Sequence, residues 1–148
     1  MPSLDPSTKL AATATALAAR LATVATVNRV YEYDPMGQPI KPPVITVGLP
    51  TIERHGIDEA ELEVGKDDWH TTWPVTLYVQ IQDPQTATLD VHRLVGALIQ
   101  AVDADPTLGG EADEAKLIDV TPDENDEAAE SRQYVIRCRV EARLMLPN

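Results

Sequence analysis

The chain reads as an α+β fold: a mainly antiparallel sheet of four or more strands, with two long helices packed on one face. Three observations lead there. Two segments repeat apolar residues at three- and four-residue spacing, two others alternate with a period of two, and most links between them are turns too short for parallel crossovers.

The first helix is expected over residues 6–26. Asp5 supplies an N-cap and Pro6 a pre-set first helical position, after which Leu10, Ala14, Leu17, Leu21 and Val24 line one face. Its alanines favour helix, whereas Thr13, Thr15, Thr23 and Thr26 weaken that preference, so packing against a sheet has to supply the rest. Residues 29–33 and 44–47 read as two short strands of a hairpin. Their connection, 34–43, opens on Asp34-Pro35 and holds four prolines and one glycine, which restrict its backbone. Residues 49–58 show no clear period and read as irregular. Residues 59–64 alternate weakly, as a strand ended by Gly65-Lys66-Asp67-Asp68.

From Trp73 the alternation strengthens. Trp73, Val75, Leu77, Val79 and Ile81 share one face and Thr72, Thr76, Tyr78 and Gln80 the other, as expected of a central or near-central strand, with Pro74 tolerated near its start. Asp83-Pro84 starts a turn. A second helix is expected over 87–104, where Leu89, Val91, Leu94, Val95, Leu98, Ile99 and Val102 form an apolar stripe. Asp105-Pro106 stops it, and Gly109-Gly110 permits the turn back. Residues 115–121 form a plausible strand. Residues 122–131, half of them carboxylates, read as an exposed acidic loop. Tyr134, Ile136, Cys138, Val140, Ala142, Leu144 and Leu146 then alternate as the buried face of a long last strand. Arg137, Arg139 and Arg143 fall on its other face with Glu141.

Composition limits the function classes. At 148 residues the chain fits a single domain, 1–148, able to bury about 68–70% of its unfolded surface. Without Phe, and with two Trp and four Tyr, the core falls to aliphatic residues and alanine. The single Cys138 excludes an intramolecular disulfide and fits a reducing compartment. No run approaches the length of a membrane span and the first residues lack the cationic start of a secretory signal, so a cytoplasmic protein with no membrane partner is expected. The net charge of −12 argues against a nucleic-acid reader unless the cations are gathered. They are partly gathered: residues 103–130 hold eleven carboxylates against Lys116 alone, while Arg132, Arg137, Arg139 and Arg143 are a third of all Lys and Arg. This is either a solvated acidic loop beside a polar strand face, or a surface on which one subunit's acidic segment meets its neighbour's arginine strand.

Chemistry-bearing patterns are scarce. His55, His70 and His92 are too scattered for metal spacing, and one cysteine makes no zinc or redox pair. Trp69 and Trp73, flanking His70, read as partly buried anchors with satisfied indole donors, and Cys138 as a small core hydrophobe. Asp67-Asp68 and the carboxylates after Asp103 lack calcium-loop spacing, and Gly109-Gly110 lacks the lysine of a phosphate loop. No catalytic residue, metal or cofactor is expected, and the chain reads as a non-enzyme.

Three stretches carry a family resemblance. They are Asp67-Asp68-Trp69-His70-Thr71-Thr72-Trp73-Pro74-Val75 with Leu77-Tyr78-Val79, Ala101-Val102-Asp103-Ala104-Asp105-Pro106-Thr107-Leu108-Gly109-Gly110, and Arg132-Gln133-Tyr134-Val135-Ile136-Arg137-Cys138. In their order and spacing, from about residue 59 to 146, the chain resembles the tail-terminator and tail-completion proteins of long-tailed, siphovirus-type bacteriophages. The resemblance implies a viral structural protein that assembles in the host cytoplasm into a homo-oligomeric ring, a hexamer. Such a ring docks on the tail-tube protein, ends tube polymerisation and meets the head–tail connector at the head–tail junction of the virion, and DNA passes through it without specific binding. Subunit or partner contacts are expected at Arg137, Arg139 and Arg143, at Asp34, Pro35 and Met36 in the proline-rich loop, and at Asp123 and Glu124 in the acidic loop. Other readings are a head-completion or connector subunit, a non-viral interaction module such as an immunity or adaptor protein, and a small hydrolase or ligand-binding enzyme. The last requires polar groups converging in a pocket.

Overall fold

A computed structural model describes residues 5–24, 27, 29–33, 43–55, 66–81, 83–122 and 133–147. The elements run α1 (Pro6–Leu21), β1 (Arg29–Tyr31), β2 (Val44–Val47), β3 (Thr51–His55), β4 (Lys66–Gln80), α2 (Pro84–Ala104), β5 (Glu114–Pro122) and β6 (Gln133–Pro147). The fold is α+β, with two helices and a mixed six-stranded sheet. Five strands follow the order β1-β2-β4-β6-β5, and β3 pairs with β4 beyond the end of β2.

Both helices start on the same device. Asp5 and Asp83 are the N-caps, each followed by proline, and they accept from the backbone N–H of Ser7 at 2.9 Å and Thr86 at 3.3 Å. α2 therefore begins at Pro84, where the sequence suggests a turn. α1 ends at Leu21, short of residue 26, because Thr23 folds back and its hydroxyl donates to the Arg20 carbonyl at 2.6 Å, taking an acceptor the next turn would use. The stripe of α2 is narrower than expected: Ala87, Leu94, Leu98, Ala101 and Val102 are buried while Leu89 is 47% exposed. At about 100° per residue Leu89 lies half a turn from Leu98.

The sheet differs from expectation in three places. β1 and β2 are parallel, in register Arg29↔Val44 to Tyr31↔Thr46, so they do not form the expected hairpin. The twelve residues of 32–43 can span about 40 Å, ample to return the chain to the level where β1 began, and proline restricts the path without dictating a reversal. Thr51–His55, read as irregular, is a strand; Thr51, Ile52, Glu53 and Arg54 are all exposed, so burial leaves no alternation to read. Lys66, Asp67 and Asp68, read as a strand-ending turn, begin β4, which makes it 15 residues long. The weak strand at 59–64 lies outside the described residues.

β4 pairs with β6 antiparallel over its whole length, from Lys66↔Pro147 to Gln80↔Gln133. Trp73, Val75, Leu77 and Val79 share a face with Ile136, Cys138, Val140, Ala142, Leu144 and Leu146. These join Ile45, Val47, Leu17 and Leu21 of α1, and Leu94, Leu98 and Val102 of α2, in one buried cluster. Thr71 is buried beside Trp73, accepts its indole N–H at 2.8 Å and donates to the Ala142 carbonyl at 2.7 Å. Between the helices, Arg20 Nε donates to the Ala101 carbonyl, one of the last-turn acceptors of α2 that lack an intrahelical partner.

Pro74 sits mid-strand, not near the start. It faces the seam between β2, paired up to Val75, and β3, paired from Thr72, so its missing N–H falls where neither strand asks for a donor. Gly48 closes the seam, donating to the Pro74 carbonyl at 2.8 Å. A Cβ on Gly48 would lie 2.9 Å from Pro74 Cγ, a stiff ring atom. After α2, the turn back takes three consecutive left-handed residues, Leu108 (φ 49°), Gly109 (69°) and Gly110 (94°). Leu108 bears this unusual φ for a non-glycine with its side chain 2% exposed, its burial holding the turn against the core.

Two stability outcomes follow. Leu98→Ala is expected to cost about 2–5 kcal/mol in denaturant titration, the range for emptying a fully buried leucine site, and a loss below about 1 kcal/mol would contradict its place in the core. Gly48→Ala is expected to cost about 1–3 kcal/mol, as overpacking does; an unchanged midpoint would show that the seam yields freely.

Candidate functional site

Alternation sends every second residue of β4 and β6 away from the core, and cross-strand register groups them into a polar surface. Arg137 lies opposite Thr76 and Thr121, Arg139 opposite Pro74 and Asp119, and Arg143 opposite His70 and Glu114. The three expected arginines thus share one row, with Arg137 and Arg139 exposed and Arg143 half-buried. Asp34, Pro35, Met36, Asp123 and Glu124 lie outside the described residues, as does most of the acidic loop.

Two of these arginines are held by carboxylates of their own chain. Arg143 grips Asp68 with a two-pronged contact, Nε to Oδ1 at 2.8 Å and Nη2 to Oδ2 at 2.9 Å, across the diagonal of the β4–β6 ladder. His70 Nε2 is 3.2 Å from Asp68 Oδ2. Asp68 is buried, and chiefly the hydrogen bonds from Arg143 hold its carboxyl below the usual carboxylate value, burial opposing and His70 assisting. Arg139 Nη2 reaches Asp119 Oδ2 at 2.5 Å. A bulge makes that pair possible: the β5–β6 register shifts between Leu117 and Asp119, and the extra residue turns Asp119 to the polar face while leaving Ile118 44% exposed. Ile118, Glu114, Lys116, Glu141, His70 and Arg143 line a shallow depression of about 240 Å³.

On the other side of the sheet Asp67, 5% exposed, is paired with Arg54 of β3, whose guanidinium lies 5.3 Å from the Trp69 ring. Neighbouring aspartates thus face opposite ways, one tying β4 to β3 and the other to β6. From their residue types Asp67-Asp68 read as a strand-ending turn and as a pair without calcium-loop spacing, not as ion-pair partners of arginines. The usable signal was the continued alternation of Asp68, His70 and Thr72 with Trp69, Thr71 and Trp73, which extends the strand N-terminally. The expected satisfied indole holds for Trp73; Trp69 Nε1 has no hydrogen-bond partner among the described residues.

Cys138 is buried, and desolvation, with the nearby Asp119 charge, pushes its thiol up to about 11, so it stays protonated at neutral pH. Among the described residues no group of three or more His, Cys, Asp or Glu side chains is placed to hold a metal ion, and no helix is long and apolar enough to cross a membrane. What the arrangement offers is a broad, charge-patterned face crossed by two internal ion pairs. A scan against protein-family models and a search of curated proteins found no match for this chain.

The Asp68 pair predicts a pH dependence. Because folding lowers its carboxyl below the ordinary 3.8, the stabilisation is complete well above that value and is lost as pH falls through the lowered one. Asp68→Asn is expected to lower stability at pH 7 and to flatten its acid dependence below about pH 5, followed by tryptophan fluorescence. Acid profiles of identical shape for both proteins would show that this pair adds nothing.

Proposed function

We propose that the chain is a structural virion-assembly protein, which caps a phage tail tube as a ring, ends its polymerisation and forms the joint to the head. The observation that carries this reading is the polar face of β4, β6 and β5, a wide surface on which Arg137, Arg139 and Arg143 stand in one row. We infer further that both helices lie on the opposite face, since the buried residues of α1 and α2 cluster with the apolar face of the sheet. Such a layering leaves the polar face to partners, as antiparallel sheets commonly do. The order of a long strand, a helix, a tight turn and a final strand supports the same reading, because these elements carry the phage resemblance. In the proposed assembly six copies form the ring, one side meets the tail-tube protein and the other the connector. The net charge of −12 suits a passage that DNA slides through without being held.

Electron microscopy of the purified protein, alone and mixed with tail-tube protein, tests the reading. Rings are expected alone, and rings at tube ends in the mixture, with tubes that no longer elongate. Tubes that elongate unchanged would overturn it, and binding to portal-side proteins instead would assign the chain to the connector.

A further inference from the structure

Among the described residues two helix arginines, Arg20 and Arg93, form no ion pair, in contrast to two arginines of the last strand. Arg139 and Arg143 are bound to Asp119 and Asp68. Arg20, in the last turn of α1, and Arg93, in the middle of α2, line a groove of about 470 Å³ between the helices, with Thr23, Ala97 and Gln100. Neither forms an ion pair among the described residues. Arg20 spends Nε on the Ala101 carbonyl, which leaves the rest of its five N–H donors open. No carboxylate lines this groove, although Asp and Glu outnumber Lys and Arg by 24 to 12. Four other depressions among the described residues each include at least one: Asp83 and Asp90, Glu111, Asp105, or Glu114 and Glu141.

The groove approaches the C-terminal ends of both helices, where the backbone dipole disfavours anions. Arg20 offsets that field by covering the Ala101 carbonyl, and Arg93, eight residues earlier, stands about 12 Å from it, beyond the last turn. Two guanidiniums that present forked donors, beside a threonine hydroxyl and a glutamine amide, suit carboxylates on an extended segment.

We propose that this groove receives the acidic stretch of a neighbouring copy of the chain, residues 122–131, as the contact between adjacent subunits; the inference rests on the ring reading above and names its contact. The stretch carries five carboxylates and no Lys or Arg. Charge complementarity selects the occupant: five carboxylates on the stretch answer the two guanidiniums of the groove. A groove on the helices and an acidic stretch at a hairpin end are two different surfaces, as a contact that closes into a ring requires.

Sedimentation velocity on the full chain tests this with three variants: Arg93→Glu, the triple replacement Glu124→Lys, Asp126→Lys and Glu127→Lys, and the two combined, each checked for folding by circular dichroism. Wild type is expected to self-associate, less so at ~0.5 M salt, where exposed charges are screened. Either single variant is expected to weaken association by about tenfold or more, and the combination to restore it, because the charges are exchanged across one contact. Monomeric wild type, an Arg93→Glu variant that associates as wild type does, or a combination without restoration would each overturn the proposal. Tube capping by the same proteins separates the two readings: capping with association insensitive to Arg93 keeps the tail assignment and rejects this contact. Association that depends on Arg93 without capping does the reverse.

Discussion

The register of β4 on β6 is the constraint from which the rest follows. Fifteen consecutive residue pairs, Lys66↔Pro147 to Gln80↔Gln133, assign each side chain of two long strands to a face. Trp73 against Val140, Val75 against Cys138 and Leu77 against Ile136 form the floor of the core, and a slip by one residue would send all of them to solvent and bring the arginines inside. That cost makes the pairing self-correcting. The other edge of β4 serves β2 and β3 in succession, and Pro74, unable to donate there, lies at the changeover.

Charge acts within this frame mainly to specify it. Asp67 and Asp68 enter the sheet with almost no exposure, which requires each to meet a cation, and the cations come from strands on opposite sides, Arg54 of β3 and Arg143 of β6. Removing either arginine would weaken the compensation of a nearly buried carboxylate, which favours the observed register at the start of β4. The exposed pair of Arg139 and Asp119 contributes little energy, yet it fits the bulge that turns Asp119 outward.

The mechanical role proposed above would draw on this frame. Its polar face presents side chains whose positions are set by the ladder and by internal ion pairs, so a partner meets a surface that needs little ordering on contact. The internal pairing also redistributes roles. With Arg139 and Arg143 paired within the subunit, Arg20 and Arg93 on the helices are the cations that the proposed subunit contact uses. The proposed assembly thus draws on both layers: a patterned sheet face for tube or connector, and the helices for the neighbouring subunit.

The sequence by itself determined the α+β class, the start of the first helix at Asp5-Pro6, the alternation of β4 and β6 and the face on which Arg137, Arg139 and Arg143 stand. These are local: a capping side chain acts within one turn, and period-two burial is written in consecutive residues. Only the tertiary structure decided that β1 runs parallel to β2, that residues 51–55 form a strand, and that Asp68 and Asp119 hold two of the arginines. Strand direction depends on where a long connection returns, and an edge strand exposed on both faces carries no burial pattern. Ion-pair partners 20 and 75 residues apart become neighbours only through register. The sequence shows that a charge is present, whereas which charge answers it is set by the geometry of the folded sheet.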